Sequence, residues 1–242
     1  MATDDKLDAI LGKLDAIMAA QRTLAAEQRI LYRQVEALFA LYGQIDFNAP
    51  LLDMRGWATS PDVLGVLLRW IQRERPAVIL ELGGGRSTLV SAYACQQNGG
   101  HVYAIDHDAD FAELAREEIA AHGLSDHATI IHAPLVEHRI DGEAWAWYDM
   151  AHLPDLPPID LLFVDGPAQH NHPQSMLRYP ALPLLAGLLA DGALIVVDDA
   201  DREHERRVVA RWRTAFKLTV LQDLSAEYGQ SEKGVKVLRW AR

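Results

Sequence analysis

The sequence predicts an α/β fold: a doubly wound, mostly parallel sheet with helices on both faces, preceded by a long N-terminal helix. From Ala77 onward, short apolar runs alternate with helical stretches, and the runs are apolar at nearly every position. Such runs indicate strands that are buried on both faces, as in parallel sheets with helical crossovers. The first fifty residues instead follow a seven-residue repeat, which is typical of a coiled coil.

A coiled-coil helix is predicted for residues 1–43. The repeat positions are Leu7, Leu14, Gln21, Gln28, Val35 and Tyr42, with Ile10, Ile17, Leu24, Leu31 and Leu38. No proline precedes Pro50, so one helix of about 36 residues, roughly 54 Å long, is expected. An amphipathic helix packed on its own domain is the alternative, but the strict spacing favours a homo-oligomer formed through residues 7–42. The number of strands in the coil stays open.

A connecting segment, residues 44–60, separates this helix from the second predicted domain, residues 61–242. Proline and glycine interrupt the heptad pattern there. Ser60 followed by Pro61 is typical of a helix start, because serine caps the first turn and proline fits the first helical position. This helix is expected to end near Arg73.

The second domain continues as alternating strands and helices. Strands are predicted at residues 77–82, 101–106, 128–133, 159–165 and 192–199, then in KLTVLQDL and GVKVLRW; helices are predicted at 87–97, 109–122, 173–190 and 202–215. In the polar segment before the fourth strand, Trp145, Trp147 and Tyr148 are expected to pack, or else to stack on a ligand. Ligands of such sheets bind beyond the carboxyl ends of the strands, so the residues there are candidate site residues.

The composition excludes several classes of function. The 242 residues carry 23 Lys and Arg against 34 Asp and Glu, a net charge of -11, so nucleic acid is not an expected partner. Cys95 is the single cysteine and fits a reducing compartment. The first residues are acidic where a secretory signal is basic, and no apolar run is long enough to span a membrane. We therefore expect a cytoplasmic protein.

A glycine turn follows the first predicted strand. Gly83, Gly84 and Gly85 let the backbone approach a ligand closely and enter the next helix. Asp106 ends the second strand at a distance along the chain that is typical of a ribose-binding carboxylate. A dinucleotide-binding turn would have a glycine where Thr88 stands, and a phosphate-binding Walker loop would have a lysine after Gly85. An NAD-dependent oxidoreductase is therefore the weaker interpretation.

The stretch Glu81-Leu82-Gly83-Gly84-Gly85-Arg86-Ser87-Thr88 resembles the first motif of class I S-adenosylmethionine-dependent methyltransferases. The resemblance covers roughly residues 55–242 and includes the segments IDLLFVDGP and GALIVVDD. It implies a Rossmann-like sheet of seven strands whose last strand is antiparallel, with S-adenosylmethionine as the cofactor. The Ser-Thr continuation of the turn is similar to a subgroup that resembles small-molecule and sugar O-methyltransferases. The acceptor implied is a small-molecule or glycan hydroxyl.

The resemblance also implies roles for individual residues. The cofactor-binding residues would be Glu81, Gly83, Gly84, Gly85, Ser87, Thr88, Asp106, His107, Pro134, Leu135 and Asp165. Glu81 and the glycine backbone would face the amino-acid end of the cofactor, and Asp106 the ribose hydroxyls. His107, Pro134 and Leu135 would border the adenine. Asp165 would lie where the methyl donor and the acceptor meet.

A metal ion and a general base are two further expectations. Asp165, Asp198 and Asp199 end two strands that are neighbours in this fold, and a divalent cation such as Mg²⁺ would relieve their repulsion, as in cation-dependent O-methyltransferases. The alternative is that Asp199 caps the next helix while Asp198 binds nearby amides. The candidates for removing the acceptor proton are His170 and His172, on the loop after the fourth strand, and Asp165 is the remaining candidate catalytic residue.

Arg178 and Tyr179 are expected on the long helix 173–190, where they would bind the acceptor or pack against the domain. A coiled-coil scaffold whose Rossmann-like domain has lost catalysis is the third interpretation of the whole chain. It is less favoured because Glu81, the glycine turn and Asp106 are all present.

Overall fold

The computed structural model describes residues 2–51, 54, 56, 58–168, 174–225 and 230–242. Its helices are α1 (Ala2–Tyr42), α2 (Pro61–Glu74), α3 (Arg86–Asn98), α4 (Ala109–Ala121), α5 (Ala181–Leu185) and α6 (Glu203–Ala215). Its strands are β1 (Val78–Leu82), β2 (His101–Asp106), β3 (Ala128–His132), β4 (Leu135–Ile140), β5 (Glu143–Tyr148), β6 (Ile159–Val164), β7 (Leu189–Asp198), β8 (Lys217–Leu224) and β9 (Val235–Ala241). Short 3₁₀ helices lie at Met150–His152 and Ala186–Leu188.

Seven strands form one sheet in the order β3-β2-β1-β6-β7-β9-β8. The neighbours from β3 to β7 are parallel, and β9 runs antiparallel to both β7 and β8. The doubly wound sheet and the antiparallel last strand are therefore confirmed. The direction of winding reverses between β1 and β6, and a crevice for a ligand lies beyond the carboxyl ends of strands at such a switch point.

Each face of the sheet is covered by its own apolar core. On one face, α2, α3, α4 and the end of α1 pack on the strands, with Leu64 and Leu67 fully buried. On the other face, α5, α6 and the β4–β5 hairpin pack on the strands, with Trp147 and Trp212 fully buried. All five residues of β1 are buried, which explains why its sequence is apolar without alternation.

Two segments differ from the predicted elements. The segment expected to be irregular between β3 and β6 contains an antiparallel hairpin, β4 and β5, in which Trp145 and Trp147 are buried. The long helix predicted at residues 173–190 is wrong, because in the described part only Ala181–Leu185 is α-helical. Pro180 lies within this segment and disfavours helical backbone in the residue before it.

The N-terminal helix α1 is continuous over 41 residues. Near its end it packs on the rest of the chain, since Leu41 is fully buried and the Gln34 side chain accepts a hydrogen bond from the Asp62 amide at 3.1 Å. Its earlier apolar side chains are about half exposed: Leu7, Ile10, Leu11, Leu14, Ile17, Met18, Leu24 and Leu31. Among the helices of the described residues, none combines the length and apolarity needed to cross a bilayer.

Candidate functional site

Three acidic side chains lie at the carboxyl ends of three adjacent strands. Glu81 belongs to β1, Asp106 ends β2, and Asp165 directly follows β6. Because β1 is hydrogen-bonded to both β2 and β6, these residues share one edge of the sheet. That edge is the switch point, so the sheet topology concentrates negative charge where a ligand is expected.

Glu81 is fully buried, and only one of its two carboxyl oxygens has a hydrogen-bond partner among the described residues. Its Oε1 accepts a hydrogen bond from the Ser87 hydroxyl, whereas Oε2 has no partner among the described residues. Burial raises the pKa of Glu81 to about 8, although hydrogen bonds from Ser87 and Thr88 act in the opposite direction. Thr88 Oγ1 also accepts a hydrogen bond from the Gly85 amide at 3.0 Å, which joins the turn to the start of α3. The free oxygen of Glu81 fits a cationic or hydrogen-bond-donating ligand group.

The glycine turn brings two backbone segments into close contact. Gly83 has a φ of 92°, in the left-handed region that favours glycine, and a Cβ there would lie 3.1 Å from the Gly166 nitrogen. The Gly84 amide donates to Asp106 Oδ2 at 3.2 Å. The turn is therefore held against the ends of both β2 and β6.

Asp106 organises the end of β2. Its Oδ1 accepts a hydrogen bond from the Asp108 amide at 2.9 Å and lies 3.4 Å from Nδ1 of His107. The hydrogen bond to Asp106 is the main reason that the pKa of His107 is raised. The Asp106 carboxylate is thus fixed in orientation at the edge where the resemblance places the ribose.

The β4–β5 hairpin brings Tyr148 into the site, whereas the sequence favoured packing for this residue and offered ligand stacking as the alternative. Pro134 and Leu135 lead into this hairpin, and Leu135 pairs with Tyr148. The Tyr148 hydroxyl is buried with no hydrogen-bond partner in the described chain, and a Cβ on Gly166 would overlap it. Burial and the nearby Asp106 carboxylate raise the pKa of Tyr148 well above its ordinary value, so this hydroxyl remains a donor. The alternation in AWAWY is the sequence signal for the strand that carries it.

Asp165 is held from both sides. Its Oδ2 accepts a hydrogen bond from the Thr59 hydroxyl at 3.0 Å, and its Oδ1 lies 3.2 Å from Nη2 of Arg178. Burial raises the pKa of Asp165, and the Arg178 charge opposes that effect. Thr59 comes from the connecting segment, where nothing in the sequence marks it as a site residue.

Asp165, Asp198 and Asp199 are brought together, but around Arg178. The Nη2 atom of Arg178 also lies 3.0 Å from Asp199 Oδ2, and Nη1 donates to the Asp198 carbonyl oxygen at 3.0 Å. Its Nε lies 3.8 Å from Glu205 Oε1. Within the described ranges, no group of three His, Cys, Asp or Glu side chains is arranged to hold a metal ion. With the guanidinium in their midst, these carboxylates do not fit the expected Mg²⁺.

Two arginines compensate part of the negative charge of this cluster. Burial opposes the charge of Arg178, but Asp165 and Asp199 raise its pKa and keep it protonated. Arg202 adds a second guanidinium, 2.8 Å from Asp199 Oδ2. Burial raises the pKa of Asp198 well above its ordinary value, and the neighbouring carboxylates add to this effect.

The other predicted acceptor-side residues are placed as follows. His170 and His172 lie outside the described residues, so their role as bases stays a prediction. Tyr179 is buried and its ring stacks under the Arg211 guanidinium, 4.0 Å from the ring centre. Tyr179 therefore packs within the domain.

Comparison with known proteins identifies the family. A methyltransferase-domain family model matches residues 80–200, half of the chain, and the chain belongs to this family. No curated protein sequence matches it. The fold is that of class I S-adenosylmethionine-dependent methyltransferases, as three similar solved structures illustrate.

The first of these structures is the O-methyltransferase from Bacillus cereus in complex with SAH, with a TM-score of 0.53 and 16% identity, covering 86% of this chain and 90% of that chain. The second is the SAH-bound methyltransferase PaMTH1 from Podospora anserina, with a TM-score of 0.55 and 16% identity over 86% and 88% of the two chains. The third is TomG from Streptomyces achromogenes, an O-methyltransferase involved in tomaymycin synthesis and solved with SAM, with a TM-score of 0.53 and 18% identity over 88% and 90%.

Proposed function

We propose that this methyltransferase uses S-adenosylmethionine and methylates a hydroxyl oxygen of a small molecule or glycan. The observation that carries the proposal is the acidic edge formed by Glu81, Asp106 and Asp165 at the switch point. S-adenosylmethionine carries positive charge on its sulfonium and ammonium groups, so this edge attracts it. The solved structures of similar fold that hold SAH or SAM support the same cofactor.

Different residues of the site bind different parts of the cofactor. The free oxygen of Glu81 receives the cofactor's ammonium group, and Asp106 accepts hydrogen bonds from the ribose hydroxyls. The Tyr148 hydroxyl, buried without a partner among the described residues, would be a further hydrogen-bond donor to the cofactor. A Cβ on Gly85 would meet no atom of the described residues within 4 Å, so the turn is open there for the cofactor to approach the main chain.

The chemical step requires an aligned acceptor and a place for its proton. When bound, the cofactor would supply an electrophilic methyl group and leave as S-adenosylhomocysteine as its carbon–sulfur bond breaks. Asp165 accepts a hydrogen bond from the acceptor hydroxyl, aligns its oxygen and takes up the proton as the new carbon–oxygen bond forms. Its raised pKa brings this carboxylate closer to neutral pH, where a general base is most effective.

The glycine turn disfavours an NAD-dependent oxidoreductase. Thr88 occupies the position of the third glycine, and its buried side chain is tied to the Gly85 amide. In a dinucleotide site, the helix can pack closely against the turn only when the residue at the third glycine position is small.

Calorimetric titration tests the cofactor assignment directly. The purified protein is titrated with S-adenosylmethionine and S-adenosylhomocysteine, with NAD as the control. We expect saturable binding of both sulfur compounds and none of NAD. Binding of NAD alone would establish the oxidoreductase interpretation, and binding of none of the three would favour the scaffold interpretation.

Methyl transfer to a panel of acceptors tests the second half of the proposal. Phenols, sugars and hydroxylated metabolites are compared with matched amines and thiols, using labelled cofactor and mass spectrometry of the products. We expect methylated product with hydroxyl acceptors. Transfer confined to amines or thiols would overturn the assignment to oxygen.

We also infer that α1 joins copies of this chain into a homo-oligomer. The exposed apolar stripe includes Leu11 and Met18 beside the two repeat positions, so it is three positions wide. A stripe of this width is typical of a core-facing helix of a bundle and is wider than the two-position seam of a coiled coil. Gln34 and Leu41 pack on the rest of the chain, whereas Val35 and Tyr42 at the repeat positions stay exposed, so the stripe extends over residues 7–42. A second copy presents the same heptad spacing and is therefore the occupant that fits.

A further inference from the structure

We propose that Arg178 is a built-in cation that replaces a divalent metal in this site and positions Asp165 for the acceptor. The positioning role rests on the proposed function, whereas the replacement of the metal does not. Arg178 lies in a cluster with Asp165, Asp198, Asp199 and Glu205, called the carboxylate cluster.

Four oxygen atoms surround the guanidinium of Arg178. They are Asp165 Oδ1 at 3.2 Å, Asp199 Oδ2 at 3.0 Å, the Asp198 carbonyl oxygen at 3.0 Å and Glu205 Oε1 at 3.8 Å. Carboxylate and main-chain carbonyl oxygens are the donor set that hard divalent cations prefer. The residues come from the end of β6, the end of β7 and the start of α6. The fold therefore brings together the oxygens of a cation site, called the cage, and the Arg178 side chain occupies it.

The negative charge of the buried carboxylates explains why this site contains a cation. Carboxylates that are nine-tenths or more buried repel one another strongly and require a compensating positive charge. The Arg178 side chain is only 4% exposed, and Arg202 compensates from the outer side through Asp199. A guanidinium suits this task because its planar fork donates to several oxygens at once and keeps its charge when buried.

Arg178 acts on the acceptor through Asp165. Its Nη2 atom is shared between Asp165 and Asp199, and its side chain is turned away from solvent. Asp165 is the most exposed carboxylate of the cluster at 17%, compared with 5% for Asp199 and 4% for Glu205. Arg178 on one oxygen and Thr59 on the other fix the direction in which Asp165 meets the acceptor.

This arrangement has a consequence for the acceptor. A divalent metal with open coordination positions holds two adjacent oxygens of a substrate, as in a vicinal diol. The guanidinium of Arg178 is enclosed by the protein, and Asp165 offers a single contact point. Acceptors with one isolated hydroxyl are therefore expected to react as well as those with two adjacent hydroxyls.

Binding of Mn²⁺ to the full chain, followed by electron paramagnetic resonance, tests the inference without any methyl transfer. We expect no stoichiometric Mn²⁺ binding by the wild type or by Arg178→Lys. Arg178→Ala empties the cage and should bind about one Mn²⁺ per chain, and the added change Asp199→Asn should reduce that affinity at least tenfold. Arg211→Ala, which removes an arginine outside the cage that contacts Glu143 and Tyr179, is the matched control and should bind none.

Two results would overturn the inference. The first is stoichiometric Mn²⁺ binding by the wild type that Asp199→Asn abolishes, because the site would then be a metal site. The second is a folded Arg178→Ala protein, judged by its thermal unfolding, that does not bind Mn²⁺. The same samples are also titrated with S-adenosylmethionine, so that this test is separate from the test of the proposed function. A wild type that binds neither the cofactor nor Mn²⁺ would refute the proposed function and leave the metal-replacement inference standing.

The positioning role has its own readout. With any accepted substrate, Arg178→Lys should retain more of kcat than Arg178→Met, and both should change kcat by a larger factor than the KM for S-adenosylmethionine. The pH at which kcat is half-maximal should shift in Arg178→Met, because Arg178 lowers the pKa of Asp165. Equal losses in the two variants with an unchanged pH profile would indicate a purely structural role.

Discussion

Replacing Glu81 by glutamine is expected to stabilise the ligand-free protein at pH 7 and to weaken its binding of S-adenosylmethionine. Glutamine keeps the size of the side chain and the hydrogen bond with Ser87. It removes a carboxyl group that is fully buried and whose Oε2 has no partner in the described part of the chain. The two effects are opposite in sign, so a general loss of structure cannot imitate them.

The magnitude follows from the raised pKa of Glu81. In the folded protein burial raises this pKa from 4.5 to about 8, so the folded state keeps a proton that the unfolded state loses. Stability is therefore fully present below pH 4.5 and falls as the pH rises toward 8, by about 1.4 kcal/mol per pH unit. Across the roughly 2.5 pH units up to pH 7, the cost of Glu81 reaches roughly 3 kcal/mol.

Denaturant unfolding at pH 5, 6, 7 and 8 measures this cost. The free energy of unfolding of Glu81→Gln minus that of the wild type should rise steadily over this range. Glu113→Gln, a matched change at an exposed position of α4, should show no such trend. A difference between Glu81→Gln and wild type that does not depend on pH would refute the buried, protonated carboxyl.

Cofactor binding should then release the proton of Glu81. With a pKa of about 8, roughly nine-tenths of the Glu81 side chains are protonated at pH 7. An ammonium group at Oε2 favours the ionised form, so the wild type should release close to one proton per cofactor bound. Calorimetry in two buffers of different ionisation enthalpy detects this release. Identical enthalpies in both buffers would show that the ammonium group does not bind to Glu81.

Three further predictions concern the cofactor site and the N-terminal helix. Asp106→Ala should weaken S-adenosylmethionine binding by at least about 1 kcal/mol in calorimetry, and an unchanged affinity would rule out the ribose contact. Tyr148→Phe should weaken S-adenosylmethionine binding several-fold. The melting temperature of the ligand-free protein should stay the same or rise, since the hydroxyl has no partner among the described residues. A lower melting temperature with intact binding would contradict the role of the Tyr148 hydroxyl as a donor to the cofactor. Leu14→Asp combined with Ile17→Asp should reduce the mass in light scattering to that of one chain, whereas Ala19→Asp on the outer face should not; an unchanged oligomer would place the interface elsewhere.

The sheet was predictable because its central strands are buried on both faces. In β1 every residue is buried, and the corresponding run of sequence is apolar without the alternation that a half-exposed strand shows. The acidic residues of the site were predictable for a related reason. Glu81 and Asp106 interrupt apolar strands at their carboxyl ends, where a buried charge has a cost that only a ligand or a partner offsets.

The hairpin and the connecting segment were harder to predict. In β4 and β5, exposed and buried residues are mixed because the two strands form a separate sheet, so the apolar runs are short. Tyr148 reaches the site only through the fold of that hairpin. Thr59 reaches Asp165 across 106 positions of sequence, and no local pattern encodes a contact between such distant residues.

Arg178 shows why the composition of a site does not determine its chemistry. The three aspartates read from the sequence are compatible with a metal, and a helix over residues 173–190 would have left Arg178 on a helix with solvent on one side. The chain instead turns at Met176, whose φ of 55° lies in the left-handed region, and Pro180 follows the turn. That turn directs Arg178 into the carboxylates, so a local backbone conformation replaces the metal with a side chain. The cation of this site is then a side chain of the protein itself, so the site does not depend on a supply of metal. Mn²⁺ binding by Arg178→Ala is the measurement that distinguishes a site that contains its own cation from a metal site.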